Sequence, residues 1–427
     1  MKKTVSFYTL GCRLNQAETA ILERSFERDG YAVVDFQQPA DVVVINTCTV
    51  TANTETDTRR LVHKINRLNN KAKIALIGCQ AQVQKENLLE LPGVFWVIGN
   101  APKMELPRLL NQFNHNLPQV LVPAIPKASF KILGAGIDRK HTRANLKIQD
   151  GCDSFCSFCV VPYARGRARS RDFADLLREA GELVVAGHRE LVLTGINVGS
   201  YQNQGKSIVD VISALELLAD LQRVRISSIE PTSIPPGLMA KMVTSQKLCR
   251  YLHLPLQSGN DEILQAMNRK YTTAEFSEFV FKARQSIPEI CLGADVIVGF
   301  PGESEADFAV TYQLLQELPL TYFHVFSYSD RQQTPSSRLA NKVPARLIED
   351  RSRQLRQLGI RKRHSYLANF IGKDVSVLFE QKKDDWWHGL TDTYIRVLVK
   401  SPLNLNNQIL PVRLEQIEKQ SMIGSLL

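Results

Sequence analysis

Two periods of apolar and polar positions organise the chain. Over the first 110 residues, short apolar runs at Val5–Leu10, Asp41–Asn46, Ile74–Ile77 and Val94–Ile98 alternate with stretches of helical period such as Ala17–Asp29 and Thr56–Leu68. Apolar runs of this length bounded by polar turns predict buried strands, and strands alternating with helices predict a parallel sheet. From about 144 to 330 the rhythm recurs six times, with strands expected at Asn145–Gln149, Glu190–Thr194, Val224–Ile229, Tyr251–Leu256, Ala294–Gly299 and Tyr322–Tyr328. Helical patterns separate them at Phe173–Ala186, Ile208–Leu221, Gly237–Ser245, Ala274–Ser286 and Glu305–Leu318. Six such repeats predict a partial parallel barrel, (β/α)6, two units short of the complete form, with its chemistry at the carboxyl ends of the strands. Pro344–Phe370 reads as a basic helix. After it, strict alternation at Asp374–Phe379, His388–Lys400 and Gln408–Ile417 predicts a small all-β barrel. The expected organisation is α/β: an N-terminal parallel α/β domain (1–110), a linker rich in Pro and Gly (111–137), the partial barrel (138–368) and the β module (369–427).

Composition adds few constraints. The 427 residues are 44% apolar and 22% charged, which fits an ordinary globular protein and excludes extended disorder. No apolar run approaches the roughly 18 residues of a membrane span. The opening MKKTVSFYTLGC superficially resembles a lipoprotein leader, but Val5–Leu10 is short for one and Tyr8 and Thr9 interrupt it. It reads better as a first strand, so a cytoplasmic protein without a membrane partner is expected. Eight cysteines in that compartment point to buried thiols, metal ligands or nucleophiles rather than disulfides.

Charge changes the picture more. The net charge of +10 makes an anionic partner plausible, nucleic acid first. Residues 138–171 carry eight Lys or Arg (Arg139, Lys140, Arg143, Lys147, Arg165, Arg167, Arg169, Arg171) against three Asp, and residues 342–373 carry nine against two acids. Cations of this kind position a phosphate backbone without reading its sequence; the second stretch is equally compatible with a solvated helix face. The terminal module, with six basic and seven acidic residues, is not electropositive. RNA contact there would rest on stacking by Trp386, Trp387 or Tyr394, although a small barrel core also accounts for the tryptophans.

Two groups of cysteines carry the candidate chemistry. Cys152, Cys156 and Cys159 form C-x-x-x-C-x-x-C on one loop after the first barrel strand. Three thiolates can hold three irons of a [4Fe–4S] cluster and leave the fourth iron open to a small molecule. A zinc site is the rival, but His141 and His188, the nearest histidines, lack ligand spacing. Cys12, Cys48 and Cys79 each directly follow an apolar run, at separations of about one βαβ unit. In a parallel sheet all three would emerge at one edge, which suits a second cluster; small buried core residues are the alternative. Cys249 and Cys291 have no partner at ligand spacing and read as core.

The loop GCDSFCSFC, with Phe158 before its last cysteine, resembles the signature of the radical S-adenosylmethionine superfamily. The strings LGCRLNQAE, INTCTVT, IGCQAQ, GCDSFCSFCVVPYARGRARSR, HLPLQSGND and DVIVGFPGE together resemble the radical S-adenosylmethionine methylthiotransferase family over nearly the whole chain. That resemblance implies a C-terminal TRAM-like module, two [4Fe–4S] clusters held by Cys12, Cys48 and Cys79 and by Cys152, Cys156 and Cys159, and two S-adenosylmethionine molecules per product. One would methylate the sulfur to be inserted; the other would yield the 5′-deoxyadenosyl radical that removes hydrogen from the substrate carbon. It also implies an external electron donor and a sulfur donor.

Contacts to S-adenosylmethionine are expected from Phe158, Gly195, Asn197, Glu230, Gln257 and Asp295, with ordinary turns and hydrogen bonds as the alternative for each. Within the family, LGCRLNQAET and INTCTVT most resemble the branch that modifies C2 of N6-threonylcarbamoyladenosine beside the tRNA anticodon. The isopentenyladenosine branch tends to a YGCQMN-like first string, and a third branch modifies a ribosomal protein. A non-catalytic iron–sulfur RNA-binding protein is the alternative of a different class.

Overall fold

The computed structural model describes residues 2–49, 52–113, 116–137 and 141–427. Arg139 and Lys140 of the first basic stretch, and the expected domain start at 138, lie outside the described residues.

The N-terminal sheet contains β1 (Thr4–Thr9), β2 (Ala32–Val33), β3 (Val42–Thr47), β4 (Lys73–Gly78), β5 (Val94–Ile98) and β6 (Gln119–Leu121), all parallel, in the order β2-β1-β3-β4-β5-β6. Its central strands are uninterrupted apolar runs because both faces are covered. Val43, Ile45, Ile74 and Leu76 pack on one side with Leu61, Val62 and Ile65, while Val5, Phe7, Val44 and Ile77 pack on the other with Leu22 and Phe26. Residues 111–137 are not wholly a linker: Gln119–Leu121 pairs with Trp96–Ile98 as the edge strand. Three residues are too few for periodicity to reveal.

The middle of the chain holds β7 (Ala144–Lys147), β8 (Gln149–Asp150), β9 (Arg169–Ser170), β10 (Glu190–Thr194), β11 (Arg223–Ile226), β12 (Tyr251–Gln257), β13 (Cys291–Val298) and β14 (Tyr322–Ser327). Six of these are the barrel strands, in two parallel halves, β7-β10-β11 and β12-β13-β14. The halves meet where Cys249 N donates to Val224 O and Ile229 N to His253 O. One continuous apolar core fills both. The short antiparallel pair β8–β9 flanks the cysteine loop.

The helix Ala345–Ala368 leads into β15 (Asp374–Lys383), β16 (Trp386–Thr391), β17 (Arg396–Lys400), β18 (Ile409–Glu418) and β19 (Ser421–Leu426), a closed five-stranded barrel of order β15-β16-β17-β19-β18. The stretch His388–Lys400, expected as one strand, breaks at residues 392–395, where Tyr394 adopts a left-handed conformation with φ of 60°. Ser421–Leu426 is a fifth strand that sequence periodicity did not reveal. Trp387 is buried in the module's core, together with Tyr366, Phe370, Cys249 and Cys291. Buried arginines of β11 fasten the module to the barrel: Arg223 donates to Leu390 O (2.8 Å) and Ser376 O (2.7 Å), and Arg225 to Thr391 O and Asp392 O (3.0 Å each). No helix among the described residues is long and apolar enough to cross a membrane.

Candidate cofactor and substrate site

Strand register brings the N-terminal cysteines together. Thr9 of β1 lies opposite Asn46 of β3, and Thr47 opposite Gly78 of β4, so three adjacent strands end level and deliver Cys12, Cys48 and Cys79 to one edge. The approach is close: a Cβ on Gly11 would stand 2.6 Å from Cys48 Sγ, and one on Gly78 2.5 Å from Asn46 Oδ1. Both glycines also have φ above 90°, a region costly for other residues. Cys48 and Cys79 are buried, and Cys12 opens onto a cavity. Packing around the Cys12 sulfur raises its thiol pKa, and Arg165 opposes that rise.

Beneath this edge lies a buried charge network. Glu18 pairs with Lys103, with Lys147 (2.7 Å) and with Arg165 (3.1 Å); Asp150 pairs with Lys147 (2.7 Å), Arg165 (2.9 Å) and Arg169 (3.3 Å). Burial would raise the Glu18 carboxyl, but Arg165, Lys103 and Lys147 hold it well below its ordinary range. Burial lowers Lys103 to about 8, with Glu18 acting against that fall. Four cations thus face two carboxylates beside the thiols. Asn15 Oδ1 accepts from Arg165 Nη2 at 2.6 Å and Asn100 Nδ2 lies 3.7 Å from Cys79 Sγ, so the excess positive charge is coupled to the sulfur edge. An anionic thiolate-ligated centre would compensate it.

The second trio lies on the loop between β8 and β9. Cys159 N donates to Cys156 O (3.0 Å), Ser157 N to Met267 O (2.9 Å) and Asn268 Nδ2 to Phe155 O (2.8 Å). Phe155 has a φ of 46°, and the Arg167 guanidinium covers its ring at 4.4 Å. Arg269 Nη1 lies 3.2 Å from Cys156 Sγ. Burial pushes Cys159 up to about 12, with Cys156 adding to the rise. Among the described residues, the set of three His, Cys, Asp or Glu side chains whose donor atoms all lie within 4.8 Å of one another is His253, Asp295 and His324. Neither cysteine trio closes to that distance. A single zinc ion binding each sulfur at about 2.3 Å in tetrahedral geometry would need all three sulfurs within about 4 Å of one another.

The other expected cofactor residues have definite places. Phe158 packs against Ile263, Met267 and Phe300. Gly195 follows β10 and lines the cavity; a Cβ there would meet Gln149 Oε1 at 2.9 Å. Asn197 is buried, its Oδ1 accepting from Ser233 Oγ (2.7 Å) and Glu230 N (3.3 Å). Glu230 is paired with Arg269. Gln257 ends β12 at a register shift, with a φ of 68°. Asp295 lies mid-strand in β13, where its Oδ1 is 2.9 Å from His253 Nε2, while His253 Nδ1 is 3.2 Å from Tyr322 Oη. His253 thereby uses both ring nitrogens in a hydrogen-bonded chain that continues to Tyr251 Oη.

A cavity of about 250 Å³ lies between the N-terminal domain, the barrel and the β module. Cys12 and Arg13 form its N-terminal side, Thr194, Gly195 and Ser227 the ends of the barrel strands, and His253, Tyr322 and His324 its far wall; Tyr394 reaches in from the β module. The carboxyl edge of the N-terminal sheet and the ends of β10 and β11 therefore border one space, whose far wall comes from the amino-terminal halves of β12 and β14. An adjoining groove shares Tyr322, His324 and Tyr394 and adds Arg356, Arg363 and Arg396. Sequence reading alone did not single out Asn15, Glu18, Arg13, Lys103 or Arg269. Arg13, Asn15 and Glu18 stand inside the string LGCRLNQAE, which was the available signal.

A partial parallel barrel with a three-cysteine loop at its strand ends is the architecture of a radical S-adenosylmethionine protein. The chain matches the Radical SAM superfamily over residues 146–315 and the Uncharacterized protein family UPF0004 over residues 4–99. Superfamily membership implies a [4Fe–4S] cluster and S-adenosylmethionine. It is similar to the threonylcarbamoyladenosine tRNA methylthiotransferase MtaB of Bacillus subtilis, at 34% identity over 96% of this chain and 93% of the relative. The protein of the same name from Aquifex aeolicus is 37% identical over 92% and 96%. The tRNA-2-methylthio-N(6)-dimethylallyladenosine synthase of Rickettsia rickettsii is 30% identical over all of both chains. Among solved structures, the fold resembles the radical S-adenosylmethionine methyltransferase TsrM from Kitasatospora setae, with a TM-score of 0.56 and 16% identity over 79% of this chain and 74% of that one. The chain belongs to the radical S-adenosylmethionine methylthiotransferase family.

Proposed function

We propose that the chain inserts a methylthio group at C2 of N6-threonylcarbamoyladenosine next to the tRNA anticodon. Cys152, Cys156 and Cys159 would hold the cluster that binds S-adenosylmethionine, and Cys12, Cys48 and Cys79 a second [4Fe–4S] cluster. When bound, these groups supply a carbon-centred radical and the sulfur; the chain's residues supply position and exclusion of water. Gly195 keeps the backbone low at the end of β10, where a side chain would intrude, and Asn197 with Ser233 fixes the adjoining turn. Phe158, Gln257 and Asp295 would supply further contacts to S-adenosylmethionine. Arg356 and Arg396 would take phosphates of the anticodon stem-loop at the mouth of the cavity. An external electron donor and a sulfur donor complete the requirements.

The observation that carries this reading is the cavity that Cys12 and Arg13 of the N-terminal domain share with Thr194, Gly195 and Ser227 at the ends of barrel strands. Arg13 in its lining favours the threonylcarbamoyl base, because an isopentenyl arm would desolvate that guanidinium without pairing it.

Mass spectrometry of tRNA nucleosides from cells with and without the gene is the test. The expected result is loss of 2-methylthio-N6-threonylcarbamoyladenosine in the deletion strain. An unchanged profile rules the substrate out, and loss of the isopentenyl product instead reassigns it. Anaerobically reconstituted protein should bind about eight irons. Cys156→Ala should abolish 5′-deoxyadenosine release, whereas Cys48→Ala should retain some release but make no methylthio product.

A further inference from the structure

Arg13 differs from Arg225, the other cation that lines the cavity, and from the buried cations of the neighbouring charge networks. Arg225 is matched by Glu190, Arg269 by Glu230, and Arg165, Lys103 and Lys147 by Glu18 or Asp150. Arg13 donates to Tyr394 Oη at 3.4 Å, and among the described residues no carboxylate pairs with it. It is half-buried, follows Cys12 directly and lines the cavity, whose wall includes two histidines and three tyrosines; the carboxylate behind that wall, Asp295, is taken up by His253 at 2.9 Å. A guanidinium in a partly enclosed space without a counter-charge attracts an anion, and its planar fork matches a carboxylate.

The substrate's chemistry gives that anion a place. In adenine, C2 and the carbon bearing N6 flank N1 on one edge of the ring. A base that turns C2 toward the Cys12 edge therefore also projects its N6 arm along that edge, where the neighbouring side chain is Arg13. The threonylcarbamoyl arm ends in a carboxylate. We propose that Arg13 and the Tyr394 hydroxyl form a subsite for the terminal carboxylate of an N6-acylated adenosine and set the preference for anionic over neutral N6 substituents. This rests on the substrate reading above. Arg13 is one residue from Cys12, and Tyr394 belongs to the β module, so the subsite forms only when the N-terminal sheet, the barrel and the module are assembled.

An RNA phosphate is the other source of an anion, and the test separates the two. Anticodon stem-loops identical except at the modified base are compared: threonylcarbamoyl, the corresponding neutral threoninamide, and isopentenyl. Binding is measured by fluorescence anisotropy on the reconstituted full chain, and product formation alongside it. Wild type should bind the carboxylate form about tenfold to a hundredfold more tightly than the amide, in line with a charge-assisted pair. Arg13→Gln should weaken the carboxylate form alone and bring the two within about twofold, while Arg13→Lys retains part of the preference. Tyr394→Phe, a milder change, should reduce the preference in the same direction. Iron content, unchanged in each variant, guards against misfolding. Equal weakening of all three stem-loops by Arg13→Gln would assign the contact to a phosphate and overturn the proposal. So would a wild type that does not discriminate, or an Arg13→Gln variant that keeps the preference while wild type makes the threonylcarbamoyl product. If wild type converts only the isopentenyl stem-loop, the substrate reading fails first, and the product assay shows this independently of Arg13.

Discussion

Arg269 joins the cysteine loop to the barrel through three contacts: Cys156 Sγ at 3.2 Å, Glu230 and Tyr271 Oη at 2.9 Å. Its side chain is 3% exposed and that of Glu230 is 17% exposed. Removing one member of such a pair strands the other charge. Arg269→Met should therefore destabilise the chain by about 3–5 kcal/mol, measured by denaturant unfolding. Replacing both residues, as Arg269→Met with Glu230→Leu, should recover much of that loss. If the double variant is no more stable than the single one, the pair is not the source of the cost. Glu230 was expected to contact S-adenosylmethionine, with an ordinary hydrogen bond as the alternative; its carboxylate already has a cationic partner, so any contact to a cofactor must share it.

At the scale of elements, the turn from β4 into the helix Cys79–Gln84 sets the position of Cys79. Gly78 has a φ of 95°, and an added Cβ would meet Asn46 Oδ1 and the Thr47 carbonyl at 2.5 and 2.8 Å. Gly78→Ala should displace Cys79 and cost at least about 1–2 kcal/mol. Reconstituted protein should then bind about half the wild-type iron, since the loop at Cys152–Cys159 stands on other elements. Full iron content would show that the turn tolerates the methyl group. Elements of this kind were legible in the sequence. DVVVINT and KIALIG are apolar on both faces and end in Cys, so their strand character and the alignment of Cys48 with Cys79 follow from the run itself and from parallel pairing. The network below them was not legible. Glu18 lies 147 residues from Arg165 and 129 from Lys147, and periodicity places each on an element without saying which elements touch. Edge strand Gln119–Leu121 and strand Ser421–Leu426 were missed for a related reason, since their pairing partners rather than their own patterns define them.

Across the whole molecule, the β module is held by charges that titrate. Burial would raise Glu190, but Arg225, Arg143 and Arg223 keep its carboxyl below the ordinary value. Burial would likewise raise Asp392, but Arg250 outweighs it and keeps that carboxyl below its ordinary value. Because the folded carboxylates bind protons less readily than unfolded ones, their contribution is complete above about pH 4.5 and is lost as pH falls through the lowered folded values. Acid should loosen the module's attachment, as it also weakens the Glu18 and Asp150 network that ties the N-terminal sheet to the barrel. Trp386 and Trp387 lie in the module and Trp96 in the sheet, so tryptophan fluorescence with limited proteolysis between pH 5 and 3 follows both. Glu190→Gln should weaken attachment at neutral pH and flatten the acid response; an unaltered acid profile would place the sensitive group elsewhere.

Tyr394 gives that attachment a wider meaning. Its ring stacks on Tyr251 at 4.5 Å while its hydroxyl reaches Arg13, so a residue of the terminal barrel is also part of the chamber's wall. Exchanging this barrel between relatives would then do more than alter how firmly a nucleic acid is gripped: it would change the shape of the compartment itself. Chimaeras should inherit part of their base selectivity from whichever parent donates the tail, and a tail-less chain should leak its reactive contents to solvent.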